Sequence, residues 1–182
     1  MKKVLFAFAA VIALAACSQK QAAAPEAEGS EVTNEVVTND TISEEMKAAN
    51  MQEVQAYLKD CGAFFIATAD GDQPRVRPFG VATIYNGRLY IMTGKKKDVY
   101  KQMIKNGKFE ISAVKKSGAE WIRVSGVLVN DDDIKAKQYL LDKNPSLKGM
   151  YKADDDNMAV LYITNGEARF CSFMGAERKV TF

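Results

Sequence analysis

Apolar residues recur at helical spacing at Met51, Val54, Leu58 and Cys61. Thr41, with Glu44 three residues on, makes a capping box ahead of them and Gly62 a stop behind, so the pattern predicts a first helix. The period then changes from 3.6 to 2. Phe64 to Ala69 reads as a strand closed by Asp70-Gly71, Pro74 to Ile84 as a second, and Arg88 to Thr93 as its hairpin partner across Asn86-Gly87. Val99, Tyr100, Met103 and Ile104 restore the helical period up to Gly107. Phe109, Ile111 and Ala113 alternate in the next strand, and Glu120 to Asn130 returns beside it. A third helix is expected over Ile134 to Lys143, opened by the aspartates 131–133 and ended by Asn144-Pro145, with one further turn to Tyr151. Asp154 to Asp156 read as caps in the same way, since they lack calcium-loop spacing. Met158 to Thr164 is a continuous apolar strand, Asn165-Gly166 a second hairpin signal, Glu167 to Met174 its return, and the tail a last irregular strand. Six or seven strands with three helices suit a mainly β fold, a small antiparallel barrel.

The passage Gln73 to Asn106 carries the most information about function. Arg75, Arg77 and Phe79 fall on one side of the period-two pattern, and Val76, Pro78 and Gly80 on the other. After Thr93 come Gly94, Lys95, Lys96 and Lys97, so three ammonium groups stand just before a helix N-terminus, where unpaired N–H groups and the dipole favour a phosphate. A lysine run alone reads as a solvated loop. The arginine pair on the preceding strand points instead to a bound anion.

The chain's near-neutral charge of +2 over 182 residues conceals a division. Residues 18–45 sum to −6 and residues 46–182 to +6. Met1-Lys2-Lys3, the short apolar run to Ala16 and the following Cys17 form a secretory signal whose Leu14-Ala15-Ala16-Cys17 resembles the bacterial lipobox. The expectation is a signal peptide over 1–16, a disordered acidic tether over 17–42 lipidated at Cys17, and a folded domain over 43–182. That places the protein in the cell envelope, anchored by lipid to a bacterial membrane, on the periplasmic side of the outer one. A basic exported domain meets little nucleic acid, so its cations suit a small anion better.

With no histidine in the chain, serine–histidine and cysteine–histidine nucleophiles, histidine bases and histidine-ligated zinc or haem are excluded. Once Cys17 is lipidated, Cys61 and Cys171 are too few for a cysteine zinc site; a disulfide after export is the alternative, but one ends a helix and the other lies mid-strand, so they are read as buried thiols. No metal site is expected.

Gln73 to Gly80, Leu89 to Thr93, and Lys97 to Gln102 with Asn106 resemble the pyridoxamine 5'-phosphate oxidase-like family, whose members are FMN-binding split β-barrels. The resemblance runs from about Met51 to Phe182 and is closest to small bacterial members of unassigned substrate. It implies FMN as cofactor, its phosphate on Lys96 and Lys97, with Lys95 also near, and on Arg77, with Arg75 a weaker contributor. Backbone from Arg77 through Pro78 to Phe79, and Thr93, would line the flavin ring. Gln102 matches a helix glutamine of the family, and Trp121 a strand position that reaches FMN from the neighbouring subunit of a homodimer. Trp121 serves equally well as core, and Arg123, on its face, would meet an anionic substrate. Asp98 departs from the family pattern, and the carboxy-terminal tryptophan and arginine of true pyridoxamine phosphate oxidases are not apparent. The implied function is a flavin-dependent oxidoreductase on a small molecule. The alternative is a barrel that binds flavin or another anion without turnover.

Overall fold

The computed structural model describes residues 42–175 and 177–182. The expected signal peptide, Cys17 and most of the expected tether lie outside the described residues. Within them, helix α1 (Glu44–Cys61) begins after Ser43, whose Oγ accepts from Met46 N at 3.2 Å. The cap is therefore Ser43 rather than Thr41, because its hydroxyl reaches the third helical N–H. Met51, Val54 and Leu58 face the core as expected, and Gly62 ends the helix at φ 80°.

Eight strands follow: β1 (Phe64–Asp70), β2 (Gln73–Phe79), β3 (Thr83–Tyr85), β4 (Arg88–Gly94), β5 (Lys108–Val114), β6 (Glu120–Asp131), β7 (Met158–Ser172) and β8 (Arg178–Thr181). They form one antiparallel sheet in the order β2-β1-β5-β6-β7-β4-β3, with β8 added to β7. This is an open, split-barrel-like arrangement, joined by helices α2 (Asp98–Asn106) and α3 (Ile134–Lys143).

Two strand readings change. The stretch Pro74 to Ile84 is two strands, not one. Its first part pairs with β1, from Phe64 opposite Phe79 to Asp70 opposite Gln73, and only Thr83–Tyr85 pairs with β4 across Asn86-Gly87. The break at residues 80–82 carries the chain from one end of the sheet order to the other. Asn165-Gly166 is not a hairpin turn either. β7 runs through it, because both halves pair with one continuous β6: Glu167–Ser172 against Glu120–Ser125, and Val160–Thr164 against Val127–Asp131. The positive φ of Asn165, 50°, sits opposite the register shift at Gly126, so the signal marks a shared bulge that bends both strands.

The continuous apolar runs of β4 and β7 follow from burial on both faces. Leu89 and Ile91 of β4, with Ala159, Leu161 and Ile163 of β7, join the main core under α1 and α2. The alternate residues Tyr90, Met92, Met158 and Val160 join a second core with Ala136, Leu140 and Leu141 of α3. Asp133 caps α3 by accepting from Lys135 N at 2.9 Å, as the aspartate run implied. Aspartates 154–156 cap no helix; Asp155 instead accepts from the backbone N–H groups of Lys152, Asn157 and Met158 in the loop before β7. Those bonds hold its carboxyl below the usual aspartate range. Cys61 is half-buried and Cys171 buried, both as free thiols whose pKa burial raises.

Candidate functional site

A cleft of about 410 Å³ opens where the C-terminal ends of β2 and β4 meet the start of α2. Arg77, Pro78, Phe79, Gly80 and Val81 form one wall, Met92, Thr93, Lys97 and Val99 the second, and Leu147, Met150 and Tyr151 the third. The two wall strands are distant in the sheet order and are brought together by the 80–82 link.

Arg77 is fixed from beneath. Its Nη1 donates to Thr68 Oγ1 at 2.6 Å and to the Arg75 carbonyl at 2.9 Å, and its Nη2 donates to Gln102 Oε1 at 2.7 Å. Thr68 in turn donates to the same Gln102 oxygen at 2.7 Å. Every one of these acceptors is neutral. Among the described residues no carboxylate lies within 4.0 Å of Arg77, Lys96 or Lys97. Burial first, and then the neighbouring Arg75, lowers the Arg77 pKa from its ordinary value, but an arginine remains protonated in any case. A half-buried cation without a counter-charge is a standing attraction for an anion.

The loop before α2 supplies the second cation. Lys97 occupies the N-cap with extended backbone, φ −82° and ψ 144°, and no side chain caps the helix. Tyr100 N donates back to the Lys97 carbonyl at 3.1 Å, which leaves the N–H groups of Asp98 and Val99 for another acceptor. The loop is clamped by Asn157, whose carbonyl accepts from Lys95 N at 2.7 Å and whose Oδ1 accepts from Lys96 N at 3.2 Å. At Gly94 a side chain would fit only if its neighbours gave way by a few tenths of an ångström. A Cβ would lie 3.2 Å from Tyr151 Oη and 3.3 Å from the Asn157 amide.

The structure thus brings Arg77, Pro78, Phe79, Thr93 and Lys97 together around one cleft, with buried Gln102 behind Arg77. The other expected residues stand apart. Lys95 pairs with Asp132 at 2.8 Å, and exposed Lys96 does not line the cleft. Arg75 points to Asp70, 3.5 Å away. Trp121 lies between Val114 and Cys171 in the sheet and stacks on Phe173 at 5.0 Å, outside this chain's cleft, while Arg123 on the same strand pairs with Glu110. In α2, Ile104 is outward at 50% exposure, and Gln102 takes the inward position beside Val99 and Met103. Sequence reading missed Asn157 and the third wall. The turn-forming cluster before β7 was the only sign of the former, and the apolar Leu147, Met150 and Tyr151 after the proline turn the only sign of the latter.

Residues 51–172 match the family model described as pyridoxamine 5'-phosphate oxidase. The chain belongs to that family. A NimC/NimA family protein from Clostridium acetobutylicum is similar at 46% identity over 76% of this chain and 96% of that one, with a TM-score of 0.74. General Stress Protein 26 from Bacillus anthracis shares the fold at 15% identity and a TM-score of 0.57, over 72% of this chain and 98% of its own. A haem-binding protein from Mycobacterium smegmatis does so at 14% identity and 0.56, over 77% and 58% respectively. No curated protein sequence matches the chain.

Proposed function

We propose that this protein is an exported, lipid-anchored FMN protein and a flavin-dependent oxidoreductase acting on a small molecule. The observation that carries the cofactor assignment is the pair of cations at the cleft, Arg77 and Lys97, neither of which has a carboxylate partner among the described residues. Beside them lies a helix start with no side-chain cap. Together they suit a phosphate, while Val81, Met92, Leu147 and Met150 offer apolar walls to an aromatic ring. The volume falls within the range of small-molecule clefts, about 300–1,000 Å³. Bound flavin supplies the hydride and electron chemistry. The chain's own part is to hold the phosphate by Arg77 and Lys97, orient the ring along Arg77 to Phe79 and Thr93, and exclude water with the Leu147–Tyr151 wall. One fold neighbour binds haem, but this chain has no histidine to ligate haem iron, and its cationic cleft suits a phosphate ester better.

The proposal includes a homodimer. Phe65, Val76 and Val114 are more than half exposed on neighbouring strands at the β2 side of the sheet, and Trp121 is paired with Val114. A partner covering that surface would bring Trp121 toward a second cleft. The purified protein is expected to be yellow, with a flavin absorption spectrum. A colourless protein that takes up no flavin would leave the barrel without its cofactor, and flavin that no donor reduces would favour a carrier over an enzyme. For the anchor, Cys17→Ser should release the protein from the membrane fraction of its host; an already soluble wild type would remove this part of the reading.

A further inference from the structure

From Lys95 to Lys108 the chain carries six lysines and one aspartate. Lys97, Lys101, Ile104 and Lys105 fall at i, i+4, i+7 and i+8 along α2, opposite the buried Val99, Gln102 and Met103. Lys108, the next exposed lysine, continues the series at the start of β5. Within this series only Lys101 has a carboxylate partner among the described residues, Asp98 at 3.0 Å, and both members of that pair are largely exposed. Ile104, half exposed, sits in the middle of the lysines. A cationic helix face with an apolar residue at its centre has the composition of a surface that rests on anionic lipid headgroups.

We propose that the outward face of α2, Lys101, Ile104 and Lys105, with Lys108 just beyond the helix, docks the domain on an anionic phospholipid membrane. Two features favour this occupant over an acidic protein. The proposed lipid at Cys17 holds the domain beside a bilayer, and the 27 residues from Cys17 to Ser43 span at most roughly 90 Å, so the domain never leaves the surface's neighbourhood. The charge is also spread along one exposed face of a short helix around the half-exposed Ile104, the composition of a lipid-facing surface. Because α2 begins at the cleft, docking would hold the cleft's mouth close to the lipid and give it access to membrane-dissolved small molecules. The surface itself does not depend on the flavin, and its test is independent of both flavin and lipidation.

The test uses the mature full-length chain carrying Cys17→Ser, and flotation with vesicles of phosphatidylcholine alone or mixed with phosphatidylglycerol. Binding is expected to the mixed vesicles, to weaken with salt, and to be slight on neutral ones. Each lysine at such a surface contributes roughly a fivefold factor in partition, so Lys101→Glu with Lys105→Glu should lower binding at least tenfold. Ile104→Ser should lower it severalfold. The circular dichroism spectrum and urea midpoint of the same variants, all with exposed substitutions, should be unchanged and report that the fold is intact. Equal binding to both vesicle types, no binding to either, or indifference to the charge reversal would each overturn the proposal. So would binding by this helix of an isolated peptide spanning residues 18–45 with none to anionic vesicles, which would assign the face to the chain's own acidic segment.

Discussion

The carboxamide oxygen of Gln102 accepts from Arg77 Nη2 at 2.7 Å, from a position 9% exposed on the inner face of α2. A buried neutral acceptor thereby aims a cation at the cleft without cancelling its charge. Gln102→Leu leaves the Arg77 and Thr68 donors short of an acceptor, at a cost of about 1–3 kcal/mol. Urea denaturation should show it. Gln102→Glu nearly preserves the shape but sets a carboxylate against Arg77, so FMN affinity should fall while the affinity for riboflavin, which lacks the phosphate, changes little. Equal losses for both flavins would make Gln102 a purely structural residue.

The lysines of the loop should differ in effect. Lys97→Ala removes a cation at the cleft and should weaken FMN by about tenfold or more, the value of one charge-assisted bond of about 1.5–3 kcal/mol. Lys95 is already spent on Asp132, so Lys95→Ala should leave FMN affinity within about twofold. A reversed order in fluorescence titrations would move the phosphate along the loop.

Gly126 sits at φ 157° in the β6 bulge, where a Cβ would stand 2.8 Å from the Thr164 carbonyl oxygen. Backbone would have to move on both strands. Gly126→Ala should therefore destabilise the domain by about 1–3 kcal/mol, measured as a lower denaturation midpoint at unchanged slope. An unchanged midpoint would mean that the bulge relaxes freely.

Asp155 gives the loop behind the site a pH dependence. Accepting from Lys152 first, and from Met158 and Asn157, depresses its folded pKa, so its contribution to stability is present above the unfolded value near 4 and lost as pH falls through the lower, folded value. Asp155→Asn should make the decline in melting temperature below pH 4 shallower. A variant with the wild-type acid profile would show that other carboxylates govern it.

Sequence patterns exposed most of the elements because their periods are set by burial, and the buried Met51-Val54-Leu58 and Phe109-Ile111-Ala113 series bear them out. They were silent where pairing is non-local. Nothing in Pro74 to Ile84 says that its two ends pair with different strands, and Asn165-Gly166 supplies positive φ without saying whether its flanks pair with each other or with β6. At the cleft, Arg77 and Lys97 stand out in the sequence because charge and the strand-loop-helix order are local features, whereas Thr93 is pointed to only by the family resemblance. Asn157 and Tyr151 do not stand out, since they reach the loop across about sixty residues of chain, and the partition of the three lysines depended on Asp132, a residue visible beforehand only as a helix-capping neighbour.

Titration of flavin-free protein with FMN and with riboflavin, followed by flavin fluorescence, tests the central assignment most directly. FMN should bind the wild type far more tightly than riboflavin, and replacing Arg77 and Lys97 together by alanine should remove most of that difference while leaving riboflavin binding nearly unchanged. Equal affinity for the two flavins in the wild type would contradict a phosphate site at Arg77 and Lys97, and binding of neither would contradict the flavin assignment itself.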